Sequence, residues 1–230
     1  MTNISSVSSG EADRHAPIEV VASMVDGVTM RDPIALDALL MACVAVRDEL
    51  PPLVCSDESR PTIDIPIAKS TCGRVYLASC AQVDSWEAHD RRFVNRKFPL
   101  AEAQVLGSDQ LKRIRISAGA QKSYRIPEMV AYPAGGEIRW YAVGHADEVA
   151  KLLTLLTHIG HRRAVGRGRV RSWSVGPCSA WDGFPVVRDG GPLRTLPVDW
   201  PGLVDPQLGE RVLSPPYWER WRREVCAVPS

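Results

Sequence analysis

Between His158 and Arg171 the chain reads H-I-G-H-R-R-A-V-G-R-G-R-V-R, directly after an apolar, helix-like segment. No acidic residue interrupts Arg162, Arg163, Arg167, Arg169 and Arg171. Gly160, Gly166 and Gly168 can adopt the positive φ that other residues avoid, so the backbone can turn tightly and approach another surface closely. Guanidinium groups beside such a turn are permanently charged and planar, matched to the oxygens of phosphate. A chain that ends a helix in this way and then resumes a strand is constrained to an α/β packing with a basic loop at one end.

The rest of the sequence agrees with a folded chain. Its 230 residues suffice for a sizeable core, and 45% hydrophobic with 24% charged residues argues against disorder. The formal net charge of +1 hides a strong asymmetry. Residues 1–64 hold eleven acids against four arginines, whereas residues 91–125 hold nine bases against Glu102 and Asp109, and residues 151–171 add six bases without an acid. One basic face for a polyanion and one acidic face follow from this distribution. The six cysteines form no C-x-x-C pair and have no histidine at zinc spacing, so no metal or other cofactor is expected. The polar start lacks the pattern of a secretory signal and no apolar run reaches about 20 residues, so the expectation is a cytoplasmic protein without a membrane partner.

Along the chain, residues 1–16 read as a disordered, Ser-rich tail. Pro17–Met30 reads as a strand by alternation, and Leu36–Leu50 as a buried helix stopped by Pro51 and Pro52, with Asp32 or Asp37 as its cap. Ile63–Ala68 and Arg74–Val83 read as strands. Residues 84–122 lack helical periodicity and read as a basic insertion, a long loop or hairpin. Glu137–Val143 is a strand and Asp147–Ile159 a second helix ended by Gly160. Arg169–Val175 is the closing strand, with Arg169, Arg171 and Trp173 on one face and Val170, Ser172 and Ser174 on the other. Residues 177–230, rich in proline and carrying Trp181, Trp200, Trp218 and Trp221, read as an irregular extension packed on a 17–176 domain. These tryptophans and Trp173 are expected as core or interface anchors. The order of elements outlines an α+β, ferredoxin-like βαββαβ domain, whose open sheet commonly accepts RNA.

The second helix running into G-H-R-R-A-V-G-R-G-R-V-R-S-W resembles the glycine-rich loop of the RAMP superfamily. D-P-I-A-L-D-A-L-L at Asp32–Leu40, D-R-R-F-V-N-R-K-F at Asp90–Phe98, R-T-L-P at Arg194–Pro197 and S-P-P-Y-W at Ser214–Trp218 are similar to the Cas-five-like subunit of type IV CRISPR complexes. The resemblance spans residues 17 to 229. It implies an RRM-related RAMP fold and a non-catalytic role: gripping the 5′ handle of a guide RNA and capping the backbone filament. It further implies contact with the backbone and large subunits, and with target DNA only through the complex. Residues 84–122 would form the thumb.

The residues themselves suggest where RNA would lie. Gly160, His161, Arg162, Arg163, Gly166, Arg167, Gly168 and Arg169 form the loop site. Arg91, Arg92, Arg96 and Lys97 form a second group, beside Trp86 and Phe93 as stacking surfaces. Lys122, Tyr124 and Arg125 flank the insertion, with Lys122 and Tyr124 on one strand face. Lys69, after an apolar strand, could cap the same groove. Only His158 and His161 invite a catalytic alternative, metal-independent cleavage of the guide with Tyr124 or Lys122. A third reading is a basic module for acidic protein surfaces.

Overall fold

The computed structural model describes residues 15–30, 32–50, 63–96, 124–178, 185–217 and 219–229. In chain order its elements are β1 (Ala16–Met24), α1 (Leu36–Arg47), β2 (Trp86–Arg96), β3 (Tyr124–Pro133), β4 (Glu137–Gly144), α2 (Ala146–Leu153) and β5 (Val170–Pro177). The short strands β6 (Val187–Arg188), β7 (Gly191–Pro192), β8 (Leu196–Pro197), β9 (Leu208–Arg211) and β10 (Glu224–Ala227) follow. The protein is a mixed α/β structure with few helices and antiparallel sheets.

Strict alternation makes β1 the central strand. Ile18, Val20, Ala22 and Met24 are buried on one face while their neighbours are only half-buried. β1 pairs antiparallel with β4 on one side and β5 on the other. On the outer edge of β4 the chain bridges through Ile67, Ala78 and Gln82, opposite Gly144, Ala142 and Arg139. The runs expected there as two strands are instead a folded-back edge. Lys69 bridges Tyr76, and Ser70 N donates to Val75 O at 2.7 Å across the turn.

α1 and α2 cover the inner face of this sheet. Leu36, Leu39, Leu40, Cys43, Val149, Leu152 and Leu153 pack with Ile18, Val20, Ile138 and Trp140 in one core. Trp140 is fully buried with its indole N–H donated to Ile34 O at 2.9 Å, and its ring lies 5.8 Å from that of Trp173.

Both helices are shorter than the periodicity suggests, for identifiable reasons. α1 ends at Arg47, and neither Asp32 nor Asp37 caps it. Ala35 is the N-cap without a side-chain bond, and Leu36 N donates to Ser79 O at 3.2 Å. Asp37 is drawn into the protein interior, as described below. α2 ends at Leu153 because the groups beyond it are claimed from elsewhere. Leu156 O accepts the Trp173 indole N–H at 2.9 Å, and Ile159 N donates to Gly168 O at 2.8 Å.

The face assignment of the closing strand is also corrected. The β1–β5 register shifts between Ser23 and Met24, pairing Ser23 with Ser172 but Met24 with Val170. Arg171 is the extra residue of this bulge, so Val170, Trp173 and Val175 all pack on the core and Arg171 stays exposed. Trp173 therefore does not share a face with the arginines.

The C-terminal extension is more regular than its prolines suggest. β8, β10 and β9 form an antiparallel sheet, and β6 pairs with β7. Together with Val75 they enclose a second core of Val186, Val187, Leu196, Leu213, Cys226 and Ala227. Short pairs suffice because each strand needs only two to four residues between turns. Trp200 packs against this core, whereas Trp221 is 67% exposed and belongs to neither core among the described residues. Trp181 and Trp218 lie outside the described residues, as do 1–14 of the N-terminal tail.

Candidate nucleic-acid interface

The glycine–arginine loop is a closed, hydrogen-bonded turn pressed against the exit of β1. His158 bridges Arg169, and Val170 N donates to Thr157 O at 2.9 Å. His161 N reaches Thr29 O at 2.7 Å, Gly168 N reaches Gly27 O at 3.1 Å and Arg169 N reaches Asp26 Oδ1 at 3.1 Å. Gly160, Gly166 and Gly168 have φ of +82°, +81° and +66°. A Cβ on Gly160 would lie 2.7 Å from Thr29 O, and one on Gly168 would collide with Ile159 O. Two of the three glycines thus serve close approach to the protein itself.

This alters what the loop can offer a polyanion. The amides of Ile159, His161, Val165, Gly166, Gly168, Arg169 and Val170 already donate within the protein. These seven amides are therefore not available to phosphate, and the loop's charge is carried by its arginine side chains. Arg163 and Arg169 are exposed, Arg167 is half-buried, and none of the three pairs with a carboxylate among the described residues. Arg162 differs: its Nε donates to Glu128 Oε1 at 2.6 Å, and that glutamate side chain is 3% exposed. Arg163 lies on the α1 side, where its charge opposes the burial that pushes the Cys43 thiol up to about 11.

The second group of cations sits on a long hairpin. β2 and β3 pair from Arg96↔Tyr124 to Trp86↔Pro133. Alternation places His89, Arg91, Phe93, Asn95, Arg125 and Met129 on one face, and Glu128, Val130 and Tyr132 on the other. The second face packs inward. Val28 and Ala131 exchange backbone hydrogen bonds at 2.8 and 2.9 Å, and a Cβ on Gly27 would collide with Val130 and meet Tyr132 at 2.8 Å. The first face is open. Phe93 is 39% exposed, with the Arg125 guanidinium 3.6 Å and that of Arg91 5.5 Å from its ring centre, and Trp86 contacts His89 with ring centres 5.9 Å apart. Arg92 is on the opposite face and committed, to Asp90 at 2.6 Å and Tyr132 Oη at 3.0 Å.

The structure therefore brings the loop and the hairpin together, through Gly27–Thr29 and the Arg162–Glu128 pair. It does not bring Lys69 to them. Lys69 lies beyond Ala68, which donates to Val143 O at the Gly144 end of β4, whereas the loop binds the Met24 end of β1. Its ammonium stands 5.0 Å from the Tyr76 ring centre. Lys97 and Lys122 lie outside the described residues, and Arg96 and Tyr124 pair at the distal end of the described hairpin.

The outer face of the central sheet offers little to RNA. Arg139 is shared between Glu137 at 2.5 Å and Glu19 at 3.8 Å, and the Arg188 guanidinium covers the Tyr141 ring at 4.4 Å. His161 is exposed, and His158 is engaged with Thr157 Oγ1 at 2.9 Å. Among the described residues no three His, Cys, Asp or Glu side chains group as a metal site, and no helix is long and apolar enough to cross a membrane.

One constellation escaped the sequence reading. Arg194, 1% exposed, donates to Tyr76 O, Ala78 O and Leu213 O at 2.8, 3.0 and 2.9 Å. It also pairs with Asp37 Oδ2 at 3.1 Å and Tyr217 Oη at 2.7 Å, and Tyr217 donates to Asp37 at 2.7 Å. Burial is the largest single influence on Arg194 and opposes its charge, but Asp37, Tyr217 and Cys80 together outweigh it and hold the guanidinium above its usual pKa. The segments 32–40, 194–197 and 214–217, far apart in sequence, meet at this triad.

Comparison with known proteins adds three findings. Residues 17–229 match the family model of the CRISPR type IV associated protein Csf3. No protein of curated function matches the chain. A chain in the cryo-EM structure of the Type III-B Cmr-beta bound to cognate target RNA aligns with 8% identity and a TM-score of 0.39. That alignment covers 72% of the present chain and 62% of the other, so the present chain spans less than two thirds of its length.

Proposed function

The chain belongs to the family of the CRISPR type IV associated protein Csf3, and from that membership we propose that it is the guide-RNA-gripping end subunit of a type IV CRISPR ribonucleoprotein. It binds the 5′ handle, caps the backbone filament, contacts the backbone and large subunits, and meets target DNA only through the assembly. The β5–β1–β4 order, with residues 67–82 bridging the outer edge of β4, supports a ferredoxin-like RAMP domain carrying the hairpin as its thumb.

The observation that carries the reading is the pairing of two cationic surfaces at one end of the sheet. Arg91 and Arg125 flank an exposed Phe93 on the hairpin, while Arg163, Arg167 and Arg169 line the adjoining loop. Aromatic faces accept unstacked bases and arginines the phosphates between them. Side-chain contact is expected to contribute most, because seven of the loop amides already donate within the protein.

The test is binding of the purified protein, alone and with its partner subunits, to guide RNA with and without its handle. Handle-dependent binding is expected, with log K falling by roughly 0.7 per phosphate contact for each log unit of salt. Arg125→Ala and Arg169→Ala should each make that dependence shallower. Absence of handle-dependent binding in every assembly overturns the proposal. The subunit is proposed as non-catalytic, and cleavage of precursor RNA without divalent metal, lost in His161→Ala, would reverse that.

A further inference from the structure

Arg162 lies in the most basic stretch of the chain, yet its contact points inward. Its backbone holds φ +63° and ψ +33°, a left-handed conformation that non-glycine residues seldom keep. Its Nε meets Glu128 Oε1 at 2.6 Å. Glu128 belongs to β3, so this ion pair joins the loop to the hairpin. The junction is tightly closed. Glu128 Oε2 and Thr29 Oγ1 are buried without a hydrogen-bond partner among the described residues, and the Thr29 carbonyl accepts the amide of His161 at 2.7 Å.

We propose that Arg162 and Glu128 are a positioning pair that sets the hairpin against the glycine loop, and that Arg162 is not a phosphate ligand. This rests on the RNA-binding reading of those two elements. A carboxylate with 3% exposure is destabilising unless a cation stays beside it. Drawing Arg162 outward to a phosphate would strand that charge. The strained backbone of Arg162 is held because the pair over-determines it. The phosphate-facing cations of the loop are then Arg163, Arg167 and Arg169, and the half-buried Arg162–Glu128 pair fixes the spacing of loop and hairpin alongside the backbone contacts of Gly27–Thr29.

The experiment uses the intact protein with Glu128→Gln, Arg162→Gln, the double variant and Arg169→Gln. Amide hydrogen exchange without RNA reads the junction, and the salt dependence of binding to a single-stranded oligouridylate of about 16 nucleotides reads the RNA contact. Glu128→Gln and Arg162→Gln should each accelerate exchange at Gly27–Thr29 and Glu128–Tyr132. Each should weaken RNA binding several-fold at unchanged salt slope, and the double variant should be no weaker than either. The fall in Glu128→Gln is the discriminating result, because removing a negative charge from an RNA site would otherwise strengthen binding. Arg169→Gln should instead reduce the slope by roughly 0.7.

Unchanged exchange in Glu128→Gln overturns the proposal. So does tighter binding in that variant together with a slope reduced by roughly 0.7 in Arg162→Gln, which makes Arg162 a phosphate contact. If the wild-type protein binds no oligouridylate, exchange still decides the pair, while handle-dependent binding of guide RNA decides the functional reading separately. Should the Gln variants fail to fold by circular dichroism, Arg162→Lys and Glu128→Asp carry the same two measurements.

Discussion

Asp37 is fully buried on the first turn of α1, and its carboxylate meets a guanidinium from residue 194 and a phenol from residue 217. Removing one member of such a set leaves the others without compensation. Arg194→Met should cost about 3–5 kcal/mol in urea unfolding, since it abandons a buried carboxylate. Tyr217→Phe removes one hydroxyl and should cost about 1–3 kcal/mol. Combining Arg194→Met with Asp37→Leu should recover part of the loss. A smaller cost for Arg194→Met than for Tyr217→Phe would contradict the ion-pair account. Local reasoning misread Asp37 because an acid near a helix start has a familiar capping role, whereas its partners come from positions 157 and 180 residues away.

At the scale of elements, the glycine loop gives a graded prediction. Gly166 has open space where a Cβ would go, so Gly166→Ala should cost only the left-handed penalty of about 1–2 kcal/mol. Gly168→Ala adds a collision with Ile159 O and should cost clearly more in the same unfolding measurement. Equal costs would mean that the loop can relax away from the Ile159 carbonyl. The loop and the strands β1 and β4 were legible because alternation and glycine spacing are local signals. The β5 bulge was not, since one extra residue flips the faces without changing composition. The ends of α2 were misjudged for a similar reason: the groups that stop it are Gly168 and Trp173, beyond any helical window. Of the hairpin and loop, sequence showed the charge but not that Arg92 and Arg162 are already paired while Arg91 and Arg125 flank an aromatic ring.

Across the whole molecule, the two cores are not independent. Val75, on the edge of the central sheet, is fully buried within the C-terminal cluster, and Arg194 ties Tyr76, Ala78 and Asp37 to the tail. A chain ending at residue 176 should therefore lose the near-ultraviolet circular dichroism of Trp140 and Trp173 and bind hydrophobic dyes. A cooperative, native-like fragment would instead make the extension an accessory. The triad also imposes an order in time. Ribosomes add about 5–20 residues per second, and Tyr217 follows Asp37 by 180 residues, so the helix carrying Asp37 waits on the order of ten to forty seconds for its partners. A nascent chain holding an unmatched acid cannot close around it. Closure of the core around Asp37 then has to wait until residues 194–217 have been made, so the C-terminal segment times the folding of the first helix.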